Sequence, residues 1–220
     1  AKHRYTFKDS MIRARKVSSI LNRIGISKFG RVGTLAWNSY KHLELYYGVS
    51  CSERVLHTIN PRLFEEQLVY IINHAGDEVI FFEAMFSDLV RRLIPQCPNV
   101  RYLICLDRFK QENEPQLEKV LDYETLISEN EEALWEDFSE STASGLCYTS
   151  GTTGNPKGVL YSHRSTVLHS FAVCLPDSAG LSAVDSVLTV VPMFHVNAWG
   201  YPYAALMAGS KLVFPGHLLG

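Results

Sequence analysis

RVGTLAWNSYKHLELYYGVSCSERVLHTIN, residues 31–60, decides the fold. Its two ends, RVGTLAW (31–37) and VLHTIN (55–60), are apolar runs rich in β-branched residues, as strands are. Between them, Ser39 to Tyr47 carries apolar residues at three and four spacing, which is a helical period. The unit reads strand, helix, strand. The pattern continues with EVIFFEA (78–84) and VRYLICL (100–106) as strands, and with helices over Leu63 to His74 and Met85 to Ile94. Gly25, Gly30, Gly48 and Gly76 mark breaks near these elements. Strands that are apolar throughout and separated by helices predict a mainly parallel sheet covered by helices on both faces, with right-handed crossovers. The expected fold class is α/β.

Residues 107–144 change character. Their acidic run YETLISENEEALWEDFSESTAS reads as a surface connection with a short helix or two, its charges forming a solvated face. The alternation then resumes with GLCYTS (145–150), a Gly-rich loop, a helix from about Ser162 to Cys174, SVLTVVP (186–192), a helix near 196–208 and KLVFP (211–215). No helix follows that last strand to close a crossover, so the chain reads as a fragment. The expected organisation is a first α/β segment over 1–106, the connection over 107–144, and a second α/β segment over 145–220.

Composition narrows the function classes. The 220 residues hold 21 Lys plus Arg against 23 Asp plus Glu, a formal charge of −2, and 46% hydrophobic residues, which excludes disordered, collagenous and coiled-coil chains. A core of this size needs neither disulfide nor metal. The charge balance offers no basic face for counterion release, so nucleic acid is not an expected partner. Cys51, Cys97, Cys105, Cys147 and Cys174 are odd in number and widely spaced, the pattern of reduced thiols in a cytoplasmic protein. AKHRYTFKDS at the start has no apolar region that would mark a signal peptide. Val187 to Ser210 contains no Asp, Glu, Lys or Arg, yet Pro192, His195, Asn197, Gly200 and Pro202 interrupt it. A buried strand, a loop and a buried helix fit that stretch better than a transmembrane span.

GLCYTSGTTGNPKGV (145–159) is the stretch that carries chemistry: an apolar strand, then Ser, Thr and Gly, then Asn155-Pro156-Lys157-Gly158. Gly151 and Gly154 let backbone N–H groups approach an anion. Thr149, Ser150, Thr152 and Thr153 add hydroxyl donors, and Lys157 adds a mobile charge. Such a loop suits a polyphosphate. The spacing is neither G-x-x-x-x-G-K-[ST] nor G-x-G-x-x-G, so it is neither a Walker loop nor a dinucleotide fingerprint. A lone G-x-x-G would be read as a turn; the whole string is more specific.

TSGTTGNPKG resembles the signature of the adenylate-forming superfamily of acyl-CoA synthetases, luciferase-like enzymes and peptide-synthetase adenylation domains. LYSHRS (160–165) follows as it does in acyl-CoA synthetases, and VPMFHVNAWGYPYAAL (191–206) resembles the second signature of their fatty-acyl branch. Upstream, residues 31–48 and INPRLFEEQLVYIINHAGDEVIFF are similar to the family's N-terminal pattern, so the likeness reaches almost the whole chain, with 107–144 fitting loosely. The resemblance implies that 1–220 is an incomplete N-terminal AMP-binding domain, with the C-terminal domain, adenine contacts, adenylation lysine and CoA site beyond residue 220. It also implies the activity. A fatty acid and ATP give an acyl-adenylate and pyrophosphate, and the acyl group then passes to CoA, with Mg²⁺ required.

Carried over by that resemblance, Thr149, Ser150, Gly151, Thr152, Thr153, Gly154 and Lys157 bind the β- and γ-phosphates, and the Thr149 hydroxyl helps place Mg²⁺. His195 becomes the catalytic-site residue beside the reacting carboxylate, against the alternative of a hydrogen-bonded core histidine. Trp199 is expected to border the acyl channel, against the alternative of a core anchor, and on a helix over 196–208 it would share a face with His195. Val196 lies between them and is counted with the cofactor-binding residues. Gly200, Ala204, Ala205 and Ala208 leave room for an alkyl chain or allow close helix packing. Tyr40, His42, His57 and His74 offer no constellation, and His163 and Arg164 read as a solvated first turn. Three readings stand: a medium- or long-chain fatty-acyl-CoA synthetase, a ligase for a short, sulfur-containing or aryl acid, and a nucleotide-binding module without catalysis. Small molecules are the expected partners. The resemblance suggests a homodimer and leaves peripheral membrane contact open.

Overall fold

Neighbouring side chains in the central strands point to opposite apolar layers, so a strand buried on both faces shows no polar alternation. The computed structural model, which describes residues 3–107, 120–149 and 154–217, builds its core this way. The elements run α1 (Phe7–Arg23), β1 (Arg31–Leu35), α2 (Tyr40–Ser50), β2 (Val55–Thr58), α3 (Glu65–Ala75), β3 (Asp77–Phe82), α4 (Ser87–Leu93) and β4 (Tyr102–Cys105). Next come β5 (Val120–Asp122), α5 (Tyr123–Glu129), β6 (Ala143–Thr149), β7 (Lys157–Ser162), α6 (His163–Cys174), β8 (Ser186–Leu188), a final helix Tyr201–Ala208 and β9 (Lys211–Val213). Seven strands form one sheet in the order β5-β4-β3-β1-β2-β6-β7. All its pairs are parallel except β6 with β7, an antiparallel hairpin. β8 and β9 pair in parallel in a separate two-stranded sheet.

Val79 and Phe81 join one core with α1, α2 and α5, while Ile80 and Phe82 join the other with α3 and α4. The expected α/β architecture is present. Four elements differ from expectation. α1 is absent from the sequence reading because its inward stripe includes Ser10, Ala14 and Ser18 beside Val17, Ile20 and Leu21, which dilutes the apolar period. Those small residues let α2 come close. A Cβ on Gly48 would lie 2.5 Å from the Ala14 carbonyl oxygen and 2.6 Å from the Val17 Cβ.

The stretch 107–144, expected as a surface connection with a short helix or two, holds the short helix α5 but also supplies edge strand β5, and Tyr123 of α5 is fully buried. Its short strand is hidden in a polar context. β7 occupies residues expected to belong to the loop, so the loop is the tip of a hairpin with Thr149 opposite Lys157. The helix expected over 196–208 starts only at Tyr201; Val196 to Trp199 form a left-handed turn instead. Among the described residues no helix is long and apolar enough to cross a membrane. The uncharged stretch 187–210 divides into strand, loop, turn and helix.

Candidate nucleotide and acyl site

In a parallel sheet the carboxyl ends of the strands open onto the crevice where ligands bind. Trp37 and Asn38 follow β1, Glu83 follows β3, Asp107 follows β4, and Thr149 ends β6, so the candidate residues collect along this edge. Thr149 is exposed, and among the described residues its hydroxyl reaches only the Lys157 carbonyl oxygen, at 3.4 Å. Lys157 is also exposed, and among the described residues its ammonium has no ion pair. Gly154, within the tip, takes φ of 109°, a conformation that a side chain would strain. Ser150, Gly151, Thr152 and Thr153 lie outside the described residues. The base of the hairpin therefore presents an exposed hydroxyl and an exposed cation, the cation unpaired among the described residues.

The segment 189–200 is moored beside it. Asn38 is fully buried; its amide donates to the carbonyls of Thr189 and Val191, each at 2.8 Å, and its side-chain oxygen accepts from the Met193 N–H at 2.6 Å. Tyr46 donates its hydroxyl to the Met193 carbonyl, and the Phe194 ring meets Trp37 edge to face at 5.2 Å. With the chain held up to Phe194, the next residues turn sharply. Val196, Asn197, Ala198 and Trp199 have φ of 46°, 50°, 50° and 55°, and Gly200 continues at 75°.

Left-handed backbone costs an ordinary L-residue roughly 1–2 kcal/mol, and a β-branched residue such as Val196 is least suited to it. The surroundings must enforce it. Ala198 is fully buried, the Asn197 side chain reaches β2 and β6, and the His169 ring nitrogen lies 3.1 Å from the Trp199 carbonyl oxygen. Gly200 is pressed so close to His169 that a Cβ there would stand 2.6 Å from the ring.

The turn directs His195, Val196 and Trp199 outward: Val196 is 42% exposed, Trp199 57% exposed, and His195 is exposed too. Neither the core-histidine nor the core-anchor reading describes these side chains. The shared right-handed helical face expected for His195 and Trp199 does not form, because the intervening backbone is left-handed. Ala204 and Ala205 are buried, as close helix packing requires, which favours packing over an alkyl channel for that stripe.

Two polar groups escaped the sequence reading. His57 and Asp77 are both fully buried and bonded, Nδ1 to Oδ2, at 2.7 Å, reaching over β1 at Gly33. They lie on β2 and β3, which flank β1 in the sheet, and that strand order leaves no signal in the sequence. His74 joins the same face through a 2.7 Å bond between its Nδ1 and the Tyr148 hydroxyl. His42 is likewise buried, held between the Thr34 hydroxyl and the Trp37 carbonyl, and burial lowers its pKa to about 4, so it is neutral. Arg164 is exposed and pairs with Glu140, as a solvated first turn requires, whereas His163 is half-buried against Phe138 and departs from that expectation.

Glu83 gives the edge a pH dependence. Burial, reinforced by the Asp107 charge, raises its pKa to about 7, against the opposing Trp37 N–H bond and Lys41 charge. A carboxyl whose folded pKa is raised stabilises the fold below its unfolded pKa, and that contribution is lost as pH rises toward 7. Glu83→Gln retains an acceptor for the Trp37 N–H. It is expected to exceed wild type in stability by about 1–2 kcal/mol at pH 8 and to match it near pH 5, measured by denaturant unfolding. A pH-independent difference would contradict the assignment.

The chain matches the AMP-binding enzyme family over residues 1–218. It is 49% identical over 217 residues to a medium-chain-fatty-acid–CoA ligase of Ectopseudomonas oleovorans, covering 98% of this chain and 40% of that one. It is 53% identical over 204 residues to a 3-methylmercaptopropionyl-CoA ligase of Ruegeria pomeroyi, covering 92% of this chain and 38% of the other. A crystal structure of a long-chain-fatty-acid-CoA ligase from Archaeoglobus fulgidus superimposes with a TM-score of 0.80 at 19% identity, over 97% of this chain and 42% of that one, a likeness of fold. On the match over nearly its whole length, the chain belongs to the AMP-binding enzyme family, and it spans about 40% of the length of these acid–CoA ligase relatives.

Proposed function

We propose that the full-length protein is an AMP-forming acid–CoA ligase that activates a medium- or long-chain fatty acid, and that this chain supplies its phosphate hairpin and one wall of the acyl site. The observation that carries the reading is the pairing of Thr149 with Lys157, the two ends of the motif, at the carboxyl edge of the sheet, beside a turn that exposes His195, Val196 and Trp199. In the adenylation step a carboxylate oxygen attacks the α-phosphorus, the bond to the pyrophosphate oxygen breaks, and negative charge accumulates on oxygen. The protein's part is positioning and neutralisation.

Lys157 holds the β- and γ-phosphates, with the donors of Ser150, Gly151, Thr152, Thr153 and Gly154 around them. An exposed threonine hydroxyl at the loop's entry fits a hard cation, so Thr149 would hold Mg²⁺. The ion, when bound, neutralises phosphate charge. His195 borders the reacting carboxylate, Val196 the nucleotide and Trp199 the acyl chain, whose channel the indole closes. CoA enters in the second step, through residues of the parent outside this chain. Five free thiols, three of them buried, suit a cytoplasmic setting.

A second reading has its own support, since one of the two quoted relatives is named for 3-methylmercaptopropionyl-CoA and is as similar as the medium-chain ligase. A sulfur-containing short acid is therefore the competing substrate. Full-length protein with ATP, Mg²⁺, CoA and an equimolar mixture of acetate, 3-methylmercaptopropionate, octanoate, palmitate and benzoate separates them. Octanoyl- or palmitoyl-CoA dominating the thioesters read by mass spectrometry is the expected result. Dominance of 3-methylmercaptopropionyl-CoA would replace the fatty acid with the sulfur-containing acid.

A further inference from the structure

Asn197 stands where the nucleotide hairpin and the acyl turn meet, and the reaction described above gives it no part. Its side-chain oxygen accepts from the Cys147 thiol at 3.1 Å and from the Thr58 hydroxyl at 3.4 Å. Cys147 and Thr58 are themselves in contact at 3.2 Å and are adjacent partners on β6 and β2. Cys147 precedes Thr149 by two residues on an extended strand, roughly 7 Å along β6. One amide thus joins the turn that carries His195, Val196 and Trp199 to the strand that ends in the phosphate loop.

Two properties of Asn197 act at once. Among non-glycine residues asparagine tolerates positive φ best, and its short side chain reaches the sheet from there. Glycine would keep the backbone freedom and remove the tether. Aspartate would keep both the tolerance and the accepting oxygen. The contribution of the tether is therefore separable by substitution.

We propose that Asn197 is a positioning residue that holds the acyl-side turn in register with the nucleotide-side strand, so that the placement of either site fixes the other. This rests on the reading of the hairpin and the turn as two sides of one site. Without the tether the turn keeps its buried Ala198 and its contact with His169 but loses its connection to β6, and Trp199 is no longer aligned with the loop.

The experiment compares wild type, Asn197→Gly and Asn197→Asp in the full-length protein. Alkylation of Cys147 by iodoacetamide, followed by peptide mass spectrometry with buried Cys97 and Cys105 as references, reads the tether without any activity. Asn197→Gly is expected to speed Cys147 labelling at least about tenfold, with the references unchanged and the aspartate variant near wild type. The glycine variant should also raise KM for the acid about tenfold and flatten the chain-length preference, at a melting temperature close to wild type. Unchanged Cys147 labelling in Asn197→Gly overturns the tether. Faster labelling with wild-type KM and chain preference overturns the positioning role. A wild-type protein that activates no acid overturns the reading of the site instead, and the labelling still decides the tether.

Discussion

Glu44→Ala is expected to destabilise the protein by about 3–5 kcal/mol, because it leaves the fully buried Tyr123 hydroxyl without its acceptor and a largely buried guanidinium with only one of its two carboxylates. Glu44 is fully buried on α2 and accepts from Arg13 Nε at 2.7 Å, the Tyr123 hydroxyl at 2.6 Å and the Tyr5 hydroxyl at 3.0 Å. Burial works to raise its pKa, and the Arg13 charge and these donors oppose the rise. The cluster fastens α1 and α5 to α2, since Arg13 also forms a forked pair with Glu124 at 3.1 and 2.9 Å. Glu124 is 40% exposed, and its removal should cost no more than about 1 kcal/mol. Thermal unfolding of the two variants checks the claim. A Glu44→Ala loss no larger than that of Glu124→Ala would show that the buried network contributes little. The triple replacement Arg13→Met, Glu44→Leu and Tyr123→Phe should recover most of the stability, since apolar side chains avoid both ionic desolvation costs and leave no buried hydroxyl unpaired.

Thr149→Val should lower kcat/KM for Mg·ATP in the full-length protein by about 100-fold while moving the melting temperature little. Valine keeps the shape and the strand preference of threonine, and the exposed hydroxyl supports no buried contact. A loss of binding chemistry without loss of fold is the signature of a group that faces ligand. If stability fell in proportion to activity, Thr149 would belong to the hairpin's structure and not to the nucleotide.

The sheet was legible because burial on both faces writes itself into sequence as unbroken apolar runs, as in VIFF of β3 and YLIC of β4. Where burial relied on small or polar residues, the pattern faded: α1 hides Ser10 and Ser18, and β5 is only three residues beside an acidic helix. β7 escaped because Lys157 to Leu160 are exposed, leaving a strand with no buried face to betray it. The candidate residues came from the two motif strings, but the shape of the turn that carries three of them did not. Val196, Ala198 and Trp199 carry no preference for left-handed backbone, and only Asn197 and Gly200 hint at it. His57 and Asp77 are brought together by strand order, which a linear reading cannot supply.

Carboxylate-dependent exchange of pyrophosphate into ATP by the full-length protein, scanned over acids from acetate to palmitate together with 3-methylmercaptopropionate and benzoate, tests the adenylation claim most directly. Exchange that requires both Mg²⁺ and an acid, and that peaks with medium or long chains, is the predicted result. ATP binding without exchange for any acid would contradict it and leave a nucleotide-binding protein that does not perform this chemistry.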